Sequence, residues 1–254
     1  MTEIWLAKMK TGVLVHGCNL HIENWRYVAW GDPPHHLGRI PQGILTALEF
    51  DASVIVFGTG ASDKVFNLGE SEKAGQLLAE GEYSLEYLKS HFAELANFAP
   101  LKPHFEKQGV DNLAEWVLSR LELDLESMNT LEEIRNGGLI FGRHEVERIV
   151  LVSSPSHIVR CLRDAASIFR NEAHLKDVGF RIFANPSYTC YEGTEPNDVV
   201  VVEPPHRPDR HVVPTHRRIH RMMMLQQLPY EDVVELIQEF DDLLQKYENR
   251  YHSG

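Results

Sequence analysis

The stretch RIVLVSSPSHIVR, residues 148–160, decides the fold class. Ile149 to Val152 are apolar at successive positions rather than alternate ones, which predicts a short strand covered on both faces. Two serines and Pro155 end the run. Beyond them Ile158, Leu162, Ala165 and Phe169 recur at four-three-four spacing, the stripe of an amphipathic helix. A strand that passes through a polar turn directly into a helix is the building unit of a parallel sheet.

The same unit recurs along the chain. GVLVHG (12–17), SVIVFG (53–58), FRIFA (180–184) and DVVVVE (198–203) read as further strands. SRLELDLES (119–127) alternates and is expected nearer an edge. Residues 81–120 are mostly helical in pattern, broken in the middle by Pro100 and Pro103. EPPHRPDRHVVP (203–214) reads as an extended connection to a helical tail, where Val233, Ile237, Phe240, Leu244 and Tyr247 form a stripe. The expectation is one α/β domain over 1–254 with a mostly parallel sheet and helices on both faces. A helical insertion at 81–120 and a proline-rich connection with helical tail at 204–254 complete it.

A formal charge of −12 argues against general binding to nucleic acid or anionic membranes, and HRRIHR (216–221) is too short a patch to reverse it. Cys18, Cys161 and Cys190 have no paired spacing, so neither a disulfide framework nor a zinc motif is indicated. MTEIWLAKMK has no signal-peptide core, and no run approaches the ~20 apolar residues of a membrane span. The expectation is a soluble, cytoplasmic chain.

In an open parallel sheet, ligands bind outside the carboxyl ends of the strands. Polar residues gather at four such corners: HGCN (His16–Asn19), GTGAS (Gly58–Ser62) followed by GESE (Gly69–Glu72), ESMNT (Glu126–Thr130), and the serine turn itself. Gly58 and Gly60 allow close backbone approach to a ligand, or simply make a turn. Ser71 suits a helix cap, and Glu72 either favours a first helical turn or accepts hydrogen bonds from a ribose or amine. Thr130 followed by Glu133 fits a capping box, although Ser127, Asn129 and Thr130 together exceed what one cap needs. Ser154 can cap and Pro155 suits the first helical position. His157 and Arg160, one face of the first two turns, oppose the helix dipole unless an anion lies beside them. That anion is either a ligand group or Glu72 or Glu126 across the cleft. Among fourteen histidines, His16 with His21, His35 with His36, and His216 with His220 are the candidate metal pairs. None completes a ligand set, and neither HExxH nor GxSxG occurs.

Taken in order, these corners resemble the DUF218 family. The resemblance is carried by VLVHG, Gly38-Arg39 before a helix, VIVFGTG, Ser71-Glu72, ESMNT and VSSPSHIVR, over about residues 10–185. It implies a Rossmann-like sheet whose cleft is lined by Gly17, Gly58, Gly60, Glu72, Ser127, Asn129, Thr130, Ser153, His157 and Arg160, with S-adenosylmethionine as the ligand associated with the soluble YdcF-like branch. The first loop, HGCNLH, is poorer in glycine than the family pattern. About fifty residues separate Glu72 from ESMNT, and the aromatics there (Tyr83, Tyr87, Phe92, Trp116) form either a lid or helix packing.

The expected function is a small-molecule enzyme that binds a nucleotide-like ligand, with S-adenosylmethionine foremost. His157 and Glu72 are its candidate catalytic groups. Gly17, Asn19, Arg39, Gly58, Gly60, Ser62, Ser127, Asn129, Thr130, Ser153, Ser154 and Arg160 are its candidate ligand contacts. Two alternatives stay open: phosphoryl-ester hydrolysis or transfer, with or without a metal, and a non-catalytic metabolite-binding or regulatory module.

Overall fold

The computed structural model describes residues 9–18, 20, 25–58, 65–66, 77–176 and 179–188, with isolated positions 232, 235, 238, 239 and 242 beyond. By its contacts the chain divides into two units, 1–191 with 200–204, and 192–199 with 205–254. All of the sheet described below belongs to the first. The expected strand at 198–203 and nearly all of the expected tail lie outside the described residues.

Five strands form one all-parallel sheet: β1 (Thr11–Val15), β2 (Val54–Phe57), β3 (Leu121–Leu123), β4 (Arg148–Val152) and β5 (Arg181–Ala184). Their spatial order is β3-β2-β1-β4-β5. This is the order of a Rossmann-like sheet, in which the chain leaves β1 in one direction for β2 and β3, then crosses back to β4 and β5. The alternating SRLELDLES segment supplies β3, the edge strand, as its pattern predicts.

Eight helices are described: α1 (Trp25–Ala29), α2 (Arg39–Glu49), α3 (Glu80–Ser90), α4 (Lys102–Gln108), α5 (Val110–Leu118), α6 (Thr130–Arg143), α7 (Pro155–Asn171) and α8 (Ala173–Lys176). They cover both faces of the sheet, and the strand residues divide accordingly. Val13, Val15, Ile55, Phe57, Val150 and Val152 pack with Ile40 and Ile44 of α2 and with the insertion. Leu14, Val54, Val56, Ile149 and Leu151 pack with Ile134 and Phe141 of α6 and with Ile158, Ala165 and Phe169 of α7. Successive strand residues thus serve two cores, which is why the strands are apolar throughout. Each such side chain contributes about 1.5–3 kcal/mol on burial. Helix α2 lies so close to β1 that a Cβ on Gly43 would meet Val15 Cγ2 at 2.4 Å.

The insertion is helical as expected, with its break at a 3-10 turn over Phe92–Asn97; Pro103 sits inside the first turn of α4, where a missing N–H costs nothing. Its aromatics are packing residues. Trp25 meets Tyr83 and Tyr87 edge-on at 5.2 and 5.3 Å, and Tyr83, Tyr87 and Phe92 are all buried. Trp116 is partly buried and carries the Arg120 guanidinium 4.3 Å above its ring.

Candidate functional site

The strand order reverses between β1 and β4, and the crevice at their carboxyl ends is where ligands enter such sheets. His16 follows β1 directly, and Ser153 and Ser154 follow β4; the His16 N–H donates to Val152 O at 2.9 Å and closes that end of the sheet. Three elements bring polar side chains to the same place. Helix α2 contributes Arg39, the start of α6 contributes Thr130 and Glu133, and the start of α7 contributes His157, Arg160 and Cys161.

Glu133 is the carboxylate of the cluster. Its Oε2 lies 2.7 Å from His16 Nδ1, and its Oε1 accepts the Gly17 N–H at 3.1 Å. A carboxylate only accepts, so Nδ1 carries a hydrogen and Nε2 points away from Glu133. Gly58 makes this possible, since a Cβ there would meet Glu133 Oε1 at 2.7 Å. The glycine at the end of β2 admits a protein carboxylate.

His157 is gripped on both sides. Its Nδ1 lies 3.0 Å from Ser153 Oγ, and its Nε2 lies 3.1 Å from Thr130 Oγ1 and within hydrogen-bond range of Arg160. Arg160 also donates to Thr130 Oγ1 at 3.0 Å. An arginine N–H can only donate, so Nε2 accepts and the imidazole hydrogen sits on Nδ1, directed at Ser153. The rings of His16 and His157 are 5.9 Å apart, and Cys161 lies beneath them with no exposed surface.

Burial by itself pulls the His16 imidazole down; the Cys161 thiol and the Glu133 carboxylate outweigh it and hold the ring up, at about 10. Burial likewise pushes the Cys161 thiol up, and the charge on His16, with His157 beside it, outweighs that and brings the thiol down to about 6. The two shifts describe one buried cation–anion pair, backed by Glu133.

Arg39 is the tie across the crevice. It is 2% exposed, and its Nε and NH2 donate to Ser154 Oγ at 2.9 and 2.7 Å. Its NH1 donates to the carbonyls of His16, at 3.4 Å, and of Gly17. Ser154 occupies the N-cap position of α7 with Pro155 at the first helical position, but its hydroxyl serves Arg39 and makes no side-chain cap bond.

The cap of α6 also differs from expectation. Asn129, not Thr130, is the N-cap; its side chain accepts from Glu132 N–H at 3.1 Å, and Glu132 Oε2 accepts the Met128 N–H at 2.7 Å. This shift of one residue releases Thr130 and Glu133 into the site. Ser127 is held away from it. Its N–H and hydroxyl bind Asp124, and its oxygen accepts from Asn136 at 2.9 Å, which stiffens the loop after β3.

The structure therefore brings together Gly17, Arg39, Gly58, Thr130, Ser153, Ser154, His157 and Arg160 of the expected residues, and places Ser127 and Asn129 in the supporting loop. Asn19, Gly60, Ser62 and Glu72 lie outside the described residues. His16, Glu133 and Cys161 are central; the sequence points to His16 only through the HGCN corner and the pairing with His21, and to Glu133 only as part of a cap, while Cys161 is not singled out as a site residue. The available signals were the position of His16 directly after a strand and of Cys161 one helical turn past His157. A small cleft beside His16 is lined by Val15, Gly17, Cys18, Ala29, Arg39, Ile40, Phe57, Gly58 and Ser84. Among the described residues no group of three or more His, Cys, Asp or Glu side chains is placed to hold a metal ion, and no helix is long and apolar enough to cross a membrane.

No family model, no curated protein and no solved structure matches the chain.

Proposed function

We propose that the chain is a small-molecule enzyme that binds a nucleotide-like ligand, S-adenosylmethionine foremost, at the β1–β4 crevice. The observation that carries this reading is the convergence of His16, Arg39, Glu133, His157 and Arg160 on the one point where the strand order reverses. Five ionisable side chains gathered at a ligand-binding position of the fold are the arrangement that functional sites favour. The ordered resemblance of the corners to the DUF218 family supports the cofactor choice. The net charge of −12 supports a small-molecule partner in the cytoplasm over nucleic acid or a membrane surface.

The phosphoryl reading draws on a different observation. The first turns of the 17-residue α7 contain no acid and carry His157 and Arg160, the arrangement that favours an anion at a helix N-terminus. A thermal-shift screen separates the two. Probes are S-adenosylmethionine, S-adenosylhomocysteine, nucleotides and sugar phosphates, each with and without magnesium. A probe at a hundred times its Kd adds about 2.7 kcal/mol, a readable shift. Shifts confined to the adenosyl sulfur compounds uphold the first reading. Shifts only with phosphates, or only with magnesium present, replace it with the second. No shift at all removes both and leaves a binding module for another class of partner.

A further inference from the structure

Beyond β5 the chain stays on the end of the sheet. Asn185 N–H donates to Leu151 O at 2.9 Å, and its side-chain amide donates to Thr46 Oγ1 of α2 at 2.8 Å. Ser187 N–H then donates to Ser153 O, and Tyr188 N–H to Leu37 O, both at 2.9 Å. Ser187 is 4% exposed, and its hydroxyl donates to the same Ser153 carbonyl at 3.4 Å. Residues 185–188 thus form a strap, tied at one end to the turn after β4 and at the other to the residue just ahead of Gly38-Arg39. The Arg39–Ser154 hydrogen bonds join the same two segments, so strap and side-chain tie cross the crevice between the same supports.

The strap holds a large ring in water. Phe183 and Tyr188 are the exposed aromatic residues among those described, at 40% and 53%. Phe183 lies within β5, in register with Val150, below the end of the sheet. Tyr188 lies at the crevice, on backbone that both its own N–H and that of Ser187 pin down. The rings already in the site, His16 and His157, are buried and offer no open face. Elsewhere in the chain such rings are buried for their packing value, and a single exposed one is ordinary on an open surface. At a crevice that gathers hydrogen-bonding and charged groups it supplies the planar face those groups lack.

We propose that Tyr188 is a binding residue, the aromatic face on which the planar base of a nucleotide-like ligand stacks at the β1–β4 crevice. This rests on the ligand site proposed above and names the part of the ligand that Tyr188 selects: a heteroaromatic ring, not the sugar or phosphate attached to it. Stacking tolerates any base because every base has a π-face, so Tyr188 sets the ligand class and the polar groups set the rest.

Titration calorimetry on the full chain tests this with S-adenosylhomocysteine and adenosine 5′-monophosphate, which carry a base, and ribose 5-phosphate, which does not. Tyr188→Ala should weaken the two base-bearing probes about tenfold or more and leave ribose 5-phosphate unchanged. Tyr188→Phe should keep all three affinities, since the ring and not the hydroxyl stacks, and Phe183→Ala should do the same. A fluorescent base, 2-aminopurine riboside 5′-monophosphate, should be quenched on binding to the unmodified protein and to Tyr188→Phe, and not by Tyr188→Ala. Unchanged affinity for base-bearing probes in Tyr188→Ala overturns the proposal alone, as does an equal loss for ribose 5-phosphate. Binding of ribose 5-phosphate without either base-bearing probe keeps a site and overturns the stacking role. Absence of binding with every probe sinks the ligand site, and the proposal with it.

Discussion

Arg39 at the carboxyl end of the sheet and Arg148 at its amino end are both almost fully buried, 2% and 4% exposed, and they are held in different ways. Arg148 has a hydroxyl and an aromatic ring among its partners. Its Nε and NH2 donate to Thr11 Oγ1 at 2.9 and 2.7 Å, and its guanidinium lies 4.7 Å above the Phe50 ring. Arg39 binds Ser154 and two backbone carbonyls at the edge of a cluster that contains a carboxylate, a thiol and two histidines. One end closes a fold with stacking and a hydroxyl. The other concentrates ionisable groups whose charge states depend on one another.

The largest expected effect comes from removing each arginine. Arg39→Met leaves the Ser154 hydroxyl and the His16 and Gly17 carbonyls without their donor, at a cost of about 3 kcal/mol. Arg148→Met keeps much of the packing on Phe50 and costs about 1–2 kcal/mol. Urea unfolding of both variants checks the order; equal losses would break the contrast between the two ends. Gly58→Ala comes next. Its Cβ would stand 2.7 Å from Glu133 Oε1, so the carboxylate or β2 must move, at about 2 kcal/mol, with His16 displaced in the NMR spectrum.

The pH dependence of stability sharpens the comparison further. His16 is raised from 6.5 to about 10, so its contribution is complete below pH 6.5 and is lost as pH rises through about 10. Cys161 is lowered from 9.0 to about 6, so its contribution is complete above pH 9.0 and is lost as pH falls through about 6. Between pH 6.5 and 9.0 the extra proton on folded His16 offsets the one missing from folded Cys161, and the pair adds no slope. Between pH 9.0 and about 10, stability should fall by at most about 1.4 kcal/mol per pH unit. Cys161→Ala takes away the thiolate that raises His16, leaves Glu133 in place, and should move that alkaline edge to lower pH in unfolding curves at pH 8, 9 and 10. An edge that stays where it was assigns it elsewhere. The smallest effect lies at the opposite end of α6. A Cβ at Gly142 meets nothing within 4 Å, so Gly142→Ala should stabilise by about 0.5 kcal/mol through backbone entropy, while the same change at Gly58 destabilises.

Much of the architecture was legible in local pattern. The apolar runs at 12–17, 53–58, 148–154 and 180–184 all became strands of the parallel sheet, and the alternating run at 119–127 became its edge. The stripe from Ile158 to Phe169 became the buried face of α7, with only Leu162 partly exposed. The site was less legible for a specific reason. Glu133 was absorbed by an apparent capping box starting at Thr130, because a cap one residue earlier, at Asn129, satisfies the same spacing rule. Gly58 suggested room for a ligand, and the group it admits is a side chain 75 residues later in the chain.

The sequence by itself determined the strands, the helices and the polar character of the turns between them, because those follow from periodicity and from the local geometry of proline, glycine and capping residues. The tertiary structure alone decided which polar residues face one another. His16 and Glu133 are 117 positions apart, Arg39 and Ser154 are 115 apart, and only the order of the strands makes them neighbours. Hydrogen bonds of a few ångströms between such distant residues leave no period in the chain, so the charge states of the site are a property of the folded sheet.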